Sequence, residues 1–222
     1  MKAVVSQNID GLHRKSGIDP DRLSELHGNT NLELCTKCGA EQMRDFRVRT
    51  SKKCAEHLTG RKCEKPGCGG GLKDSIINFG DNLEENILEK ADFTSSMADL
   101  YVAMGSSLRI QPACSLPLNS VKNGGNFVVI NLQKTPMDQY ATLVIHGKCE
   151  DIMELLMEKL GYTIPECKIQ RRLQVSFDEN KKQVTVGGVD SNRTSYTLFK
   201  RIGIKGLGAT ANDISIFNES KF

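Results

Sequence analysis

Five of the chain's eight cysteines fall between Cys35 and Cys68, in a stretch rich in Lys and Gly and poor in large apolar residues. Such a segment cannot bury enough apolar surface to fold unaided, so a metal is its natural staple. Zinc takes four soft ligands in a tetrahedron, and one Cys-x-x-Cys turn supplies two of them. Cys35 and Cys38 form such a pair. The partner pair has two candidates. Cys54 and His57 follow after 15 residues, an ordinary zinc spacing that favours them slightly. Cys63 and Cys68 enclose a Pro66-Gly67 turn signal and precede Gly69-Gly-Gly71, which gives the backbone room. Cys114, Cys149 and Cys167 stand alone and read as small buried apolar residues.

The flanks of this module keep a different rhythm. Short aliphatic runs at 3–5, 100–104, 127–130 and 143–145 each end in polar or Gly residues, as buried parallel strands do. Helical segments are expected at 83–97 and at 151–160, where "DIMELLMEKL" meets the stop residue Gly161. The predicted fold is α/β, a partial Rossmann-like parallel sheet with a small zinc-binding module inserted. Its body comprises 1–34 and 72–165, and the module spans 35–71. A strand at 31–34 would mark the boundary.

After Pro165 comes a β-rich basic extension, 166–222. Alternating runs at 173–177 and 183–186, separated by 178–182, predict a hairpin. The last 35 or so residues are Gly-, Asn- and Ser-rich and are expected to be loosely ordered. The charge is split. From Lys168 onward the chain carries 10 Lys and Arg against 5 Asp and Glu, while the whole chain is only +3. A basic tail on a near-neutral body suits an anionic partner such as chromatin or nucleic acid, or is simply a solvated extension. No apolar run approaches the roughly 20 residues that cross a bilayer, and no leader pattern opens the chain. The expectation is a soluble intracellular protein with no membrane partner, in which cysteines stay reduced and the sequon at Asn192 is chance.

Three strand ends present small or polar residues: Gly105-Ser-Ser107, Asn131-Leu-Gln133 and Gly147-Lys-Cys149. The carboxyl edge of a parallel sheet is where a nucleotide sits, although neither of the familiar glycine-rich phosphate fingerprints occurs. The turn after the first strand packs Gln7, Asn8 and Asp10 around Ile9. Such groups suit recognition of an amide and ribose hydroxyls, and equally an Asx turn.

Taken together, Gln7-Asn-Ile-Asp10, Leu26-His-Gly28, the cysteine pairs, Asn78-Phe-Gly-Asp81, Gly105-Ser-Ser107 and Asn131-Leu-Gln133 resemble the sirtuins, NAD-dependent protein deacylases, over roughly residues 2–165. Thr59-Gly-Arg61, Asn131-Leu-Gln-Lys-Thr-Pro136, Ile145-His-Gly147 and Ile164-Pro165 look like the nuclear branch, whose animal and plant members act on chromatin. The resemblance implies NAD and zinc as cofactors, a nuclear location, and an acyl-lysine protein substrate, histone tails above all. It assigns Gln7 and Asn8 to the nicotinamide ribose, and Ile9 and Asp10 to the nicotinamide pocket. Gly105, Ser106 and Ser107 would hold phosphate and the adenine-side ribose. Asn131, Leu132 and Gln133 would meet the adenosine ribose, and Cys149 the adenine. Ile77, Phe79 and Gly80 would receive the acyl-lysine peptide as an added strand. It also selects Cys63 and Cys68 to complete the zinc set.

In the implied reaction the acyl-lysine oxygen attacks C1′ of the nicotinamide ribose and expels nicotinamide, leading to O-acyl-ADP-ribose. A base must take a proton from the ribose hydroxyls, and His27 stands at the matching position. His13 and His146 carry no such role. The family's Gly-Ala-Gly-x-Ser loop does not occur between Met1 and Ser6, so weak NAD binding and poor turnover are expected of this chain. Two other readings share these residues: an inactive zinc-containing chromatin-binding remnant, and a protein mono-ADP-ribosyltransferase.

Overall fold

The computed structural model describes residues 2–53, 55–168 and 170–196. The first β-branched run forms β1 (Val4–Ser6). A polar turn leads into the single helical turn α1 (Leu12–Lys15) and then β2 (Leu23–Glu25), which lies parallel to β1 with Val4 opposite Leu23. Leu26, just past β2, is buried with Ala91 and Leu116, and Val5 and Tyr101 pack on that cluster. This apolar knot ties the first strand pair to the main sheet.

The cysteine-rich segment builds an antiparallel sheet from β3 (Leu32–Cys35), β4 (Glu41–Met43), β5 (Leu58–Lys62) and β6 (Gly71–Asp74), in the order β4-β3-β6-β5. Its buried cluster is Cys35, Cys63 and Leu72, with Ala40 and Cys68 against it. A core made largely of sulfur is what the composition implies, since few aliphatic side chains are available to replace it.

The body resumes with α2 (Glu85–Ser96), β7 (Leu100–Met104), α3 (Leu116–Lys122), β8 (Asn126–Ile130), β9 (Leu143–Ile145) and α4 (Cys149–Lys159). β7, β8 and β9 form a parallel sheet in that order. Period-two alternation sends Ala103, Phe127 and Val129 inward, where Leu108, Cys114 and the half-buried Val121 meet them. The opposite face leaves Leu100, Val102 and Leu143 exposed. Mixed α/β architecture with parallel strands, the expected class, is thus present. The isolated Cys114 is buried as expected, whereas Cys167 is exposed.

The extension forms β10 (Arg172–Asp178), β11 (Gln183–Val189) and β12 (Ser195–Tyr196), an antiparallel sheet with Val175 opposite Val186. The predicted hairpin is therefore longer than the alternation alone marks. Within the stretch expected to be loosely ordered, residues 188–196 are built: Asp190 is buried and β12 pairs with β11. Residues 197–222 lie outside the described residues.

What holds that corner is Arg44, whose side chain is only 1% exposed. Its Nε donates to Glu33 Oε2 at 2.7 Å and its Nη2 to Gln42 Oε1 at 2.8 Å. Its Nη1 reaches Glu64 Oε1 at 2.6 Å, Thr194 Oγ1 at 2.9 Å and Asp190 Oδ2 at 3.3 Å. Asp190 Oδ1 accepts in turn from the amides of Asn192 and Thr194. Phe46 stacks on Tyr196 with centroids 5.2 Å apart, and Arg172 pairs with Asp45 at the rim. A buried charge is tolerable only when so fully bonded, and removing one partner strands the others. Arg44→Ala is therefore expected to cost about 3–5 kcal/mol, read as a lower denaturant midpoint. Asp190→Asn should leave the α/β body folded while speeding tryptic cleavage after Arg171 and Arg172. Unchanged cleavage would show that the extension is held by other contacts.

Candidate functional site

Two sites emerge, one of sulfur and one at the strand ends. The Sγ atoms of Cys35, Cys38, Cys63 and Cys68 all lie within 4.8 Å of one another. Cys35 and Cys68 are 3.6 Å apart and Cys38 and Cys63 are 3.8 Å apart. A tetrahedron with Zn–S bonds of about 2.3 Å has edges of about 3.8 Å, and these two separations match it. Gly70 makes room for it: a Cβ there would lie 2.7 Å from Cys35 Sγ. The amide of Cys38, with that of Lys37 and the neighbouring thiols, holds the Cys35 thiol down to about 6. At Cys63 the pull of the Lys65 amide is outweighed by burial and the other three sulfurs, and the thiol is pushed up to about 12. His57 is not among these four; its ring bonds Asp74 instead. Cys54 lies outside the described residues.

The second site grows from the Leu26-His27-Gly28 corner. Leu26 is in the core and its amide bonds the Ser6 carbonyl at 2.9 Å. Gly28 has φ 77°, and a Cβ there would sit 1.8 Å from the Ser75 carbonyl oxygen. His27 projects between them, half-buried. Its Nδ1 lies 3.1 Å from the carbonyl oxygen of Gln7. A carbonyl only accepts, so Nδ1 is the donor here and Nε2 is the ring nitrogen left for other partners. The backbone carbonyl of His27 accepts the amide of Ile77 at 3.1 Å, which sets the start of the Ile77–Gly80 segment beside it.

From His27 the contacts run along the strand ends. Gln7 Oε1 accepts from Ser106 Oγ at 3.2 Å, joining the end of β1 to the loop after β7. Ser106 Oγ also takes the Leu108 amide. Gly105 donates its amide to the Ile130 carbonyl at 2.9 Å, and Cys149 Sγ lies 3.8 Å from the same oxygen. Asn131 begins the next strand end, donating to the Ile145 carbonyl at 3.1 Å and from Nδ2 to the Gln133 carbonyl at 2.8 Å. His27, Gln7, Ser106, Gly105, Cys149 and Asn131 are thus brought onto one edge. Ser107, Asn8, Ile9, Leu132, Phe79 and Gly80 are exposed. Asp10 uses Oδ1 to accept the Leu12 amide at 3.0 Å, the bond of an Asx turn. A bare glycine backbone, two serine hydroxyls and carboxamides on one edge fit ribose and phosphate chemistry. Sequence reasoning missed Ser6, whose hydroxyl holds the Asn8 amide and the His13 ring.

The pattern of the Sir2 family matches residues 1–112. The chain belongs to the Sir2 family. It is 46% identical over 165 residues to the NAD-dependent protein deacetylase SRT1 of Arabidopsis thaliana, a match covering 74% of this chain and 34% of that protein. Human NAD-dependent protein deacetylase sirtuin-7 is 41% identical, with 73% of this chain and 42% of that protein covered. The chain therefore spans between a third and half of the length of these curated relatives. Among solved structures, Sir2Tm bound to a propionylated peptide aligns with TM-score 0.57 at 34% identity, over 73% of this chain and 65% of that one. Sir2 with a p53 peptide and NAD+ aligns with TM-score 0.55 at 33% identity, over 72% and 64%. Sir2 architecture accounts for the parallel strands.

Metal analysis of the purified chain should return one zinc. Cys35→Ser, Cys63→Ser and Cys68→Ser should each lose it, while Cys54→Ser keeps it. Loss in Cys54→Ser would return the spacing argument to favour. Acid should weaken retention. The thiolate of Cys35 is present above about 6 and protonated below, so its share of zinc affinity should fall about tenfold per pH unit under that point.

Proposed function

We propose that this chain carries the catalytic centre of an NAD-dependent protein-lysine deacylase acting on chromatin proteins in the nucleus. One observation carries the reading. Gln7 fixes His27 with Nδ1 as the donor and Nε2 left for proton transfer, on the same edge as Ser106 and beside the start of the Ile77–Gly80 segment. A base must reach its proton with the correct nitrogen, and geometry decides this before pKa does. In this reading His27 Nε2 accepts a proton from a ribose hydroxyl. NAD, when bound, supplies a sugar carbon activated by its nicotinamide leaving group.

Gln7 and Asn8 hold the nicotinamide ribose, and Ile9 and Asp10 line the nicotinamide pocket. Gly105, Ser106 and Ser107 take phosphate and the second ribose, with Asn131, Leu132, Gln133 and Cys149 at the adenosine end. The body that carries them comprises 1–34 and 72–165. Ile77, Phe79 and Gly80 offer the edge on which an acyl-lysine peptide is laid, and zinc on Cys35, Cys38, Cys63 and Cys68 has no open position for chemistry. The nuclear, chromatin-directed setting draws on the basic tail, 10 Lys and Arg against 5 Asp and Glu from Lys168 onward, and on the anionic partners such a charge attracts.

The test is NAD-dependent deacylation of an acetylated histone-tail peptide, read as deacylated peptide and O-acyl-ADP-ribose. His27→Ala should reduce it by about a hundredfold or more while zinc content and peptide binding persist. Deacylation that survives the substitution at the parent rate would remove His27 from the mechanism. Zinc loss in the variant would recast the histidine as structural.

A further inference from the structure

His57 stands immediately before β5, and its ring faces away from metal chemistry. Its Nδ1 lies 3.0 Å from Asp74 Oδ1, and its Nε2 lies 3.4 Å from Asn78 Nδ2. A carboxylate accepts and an amide nitrogen donates, so the two contacts fix the ring with Nδ1 protonated and Nε2 accepting. Asp74 is fully buried at the end of β6, where Oδ1 also takes the Ile76 amide at 3.0 Å. Its Oδ2 has no hydrogen bond; Arg49 Nε faces it at 3.6 Å, an ion pair too long to be one. Arg49 completes the arrangement by donating from Nη1 to Asn78 Oδ1 at 3.1 Å.

Asn78 is therefore gripped at both ends of its carboxamide. Arg49 holds the oxygen, while His57 and Asp81 Oδ2 take the nitrogen, the latter at 2.8 Å. The same Asp81 oxygen accepts the Asn78 backbone amide at 2.9 Å. Asn78 sits between Ile77 and Phe79. Phe79 is 96% exposed, so its own packing cannot place it. The backbone of this segment is set instead by Ile77 on the His27 carbonyl and by the clamp on Asn78.

We propose that His57, Asp74 and Arg49 are positioning residues for the acyl-lysine peptide: they clamp Asn78, and so make peptide affinity a property of the antiparallel zinc-module sheet. The inference rests on reading Ile77–Gly80 as the peptide edge. Strand addition gains its energy from backbone groups held in register, and an edge ordered beforehand loses less entropy when the peptide docks. His57 just ahead of β5 and Asp74 at the end of β6 are tied together, Asp74 donating its amide to the His57 carbonyl at 2.8 Å.

The experiment titrates a fluorescent acetyl-lysine peptide against the full chain by polarisation, with zinc content measured in every sample. His57→Phe should weaken binding about fivefold or more, the scale of a lost hydrogen-bond network, with zinc unchanged. His57→Gln should recover most of the affinity, because its amide can donate to Asp74 and accept from Asn78. Asn78→Ala should lose as much as His57→Phe, and the double variant little more than either alone. Parent-like affinity in His57→Phe, equal loss in Phe and Gln variants, additive losses in the double variant, or zinc loss would each overturn the positioning role. A parent chain that binds no acetyl-lysine peptide would instead sink the functional reading itself, and this inference with it.

Discussion

The close approach of Gly28 to Ser75 is the contact on which the site depends. A side chain at Gly28 would put its Cβ 1.8 Å from the Ser75 carbonyl oxygen, so only glycine lets the end of the first strand pair meet the exit of the antiparallel sheet. That approach lets the Ile77 amide reach the His27 carbonyl, and the Ser75 hydroxyl bridges to Asn29, accepting its amide and donating to its carbonyl, each at 3.0 Å. On one side of the corner Leu26 is fixed in the core; on the other the Ile77–Gly80 segment begins. The histidine between them cannot drift, since its neighbours are anchored to different sheets.

Much of this was legible because it was local. Aliphatic runs ending in polar residues mark β7, β8 and β9 to within about two residues, the ordinary scatter of element ends. The cysteine density implies a metal, and Gly69-Gly-Gly71 implies the room that Gly70 gives to sulfur. The spacing argument for Cys54 and His57 meets a physical competitor in the structure. A histidine at zinc spacing serves equally well as the partner of a carboxylate, and Asp74 lies beside it only through antiparallel pairing across β5 and β6. The short polar strands β4 and β5 left no period to read, because sulfur and buried ions rather than an apolar face hold them.

Long-range pairing set the other limit. Arg44 and Asp190 are 146 residues apart, and neither has a neighbour that betrays its burial. In the sequence Asp190 belongs to a Gly-, Asn- and Ser-rich stretch that resembles loose chain. In the structure its two oxygens are divided between a turn at Asn192–Thr194 and the Arg44 guanidinium. A positive tail charge also says little about where individual residues go: Arg172 of that tail is spent on Asp45.

Gln7 shows how the two halves of the site are coupled without being one interaction. Its backbone carbonyl orients His27, and its side-chain oxygen receives Ser106 from the loop after β7. The first bond is made by main chain and is indifferent to the side chain at that position; the second needs a carboxamide or a similar acceptor of the same reach. The orientation of His27 is thus protected against substitution, while the register of the Gly105–Ser107 loop is not. The family resemblance at Gln7 accordingly constrains the loop more than the histidine. The histidine is constrained by the two residues that flank it, one by burial and the other by having no side chain at all.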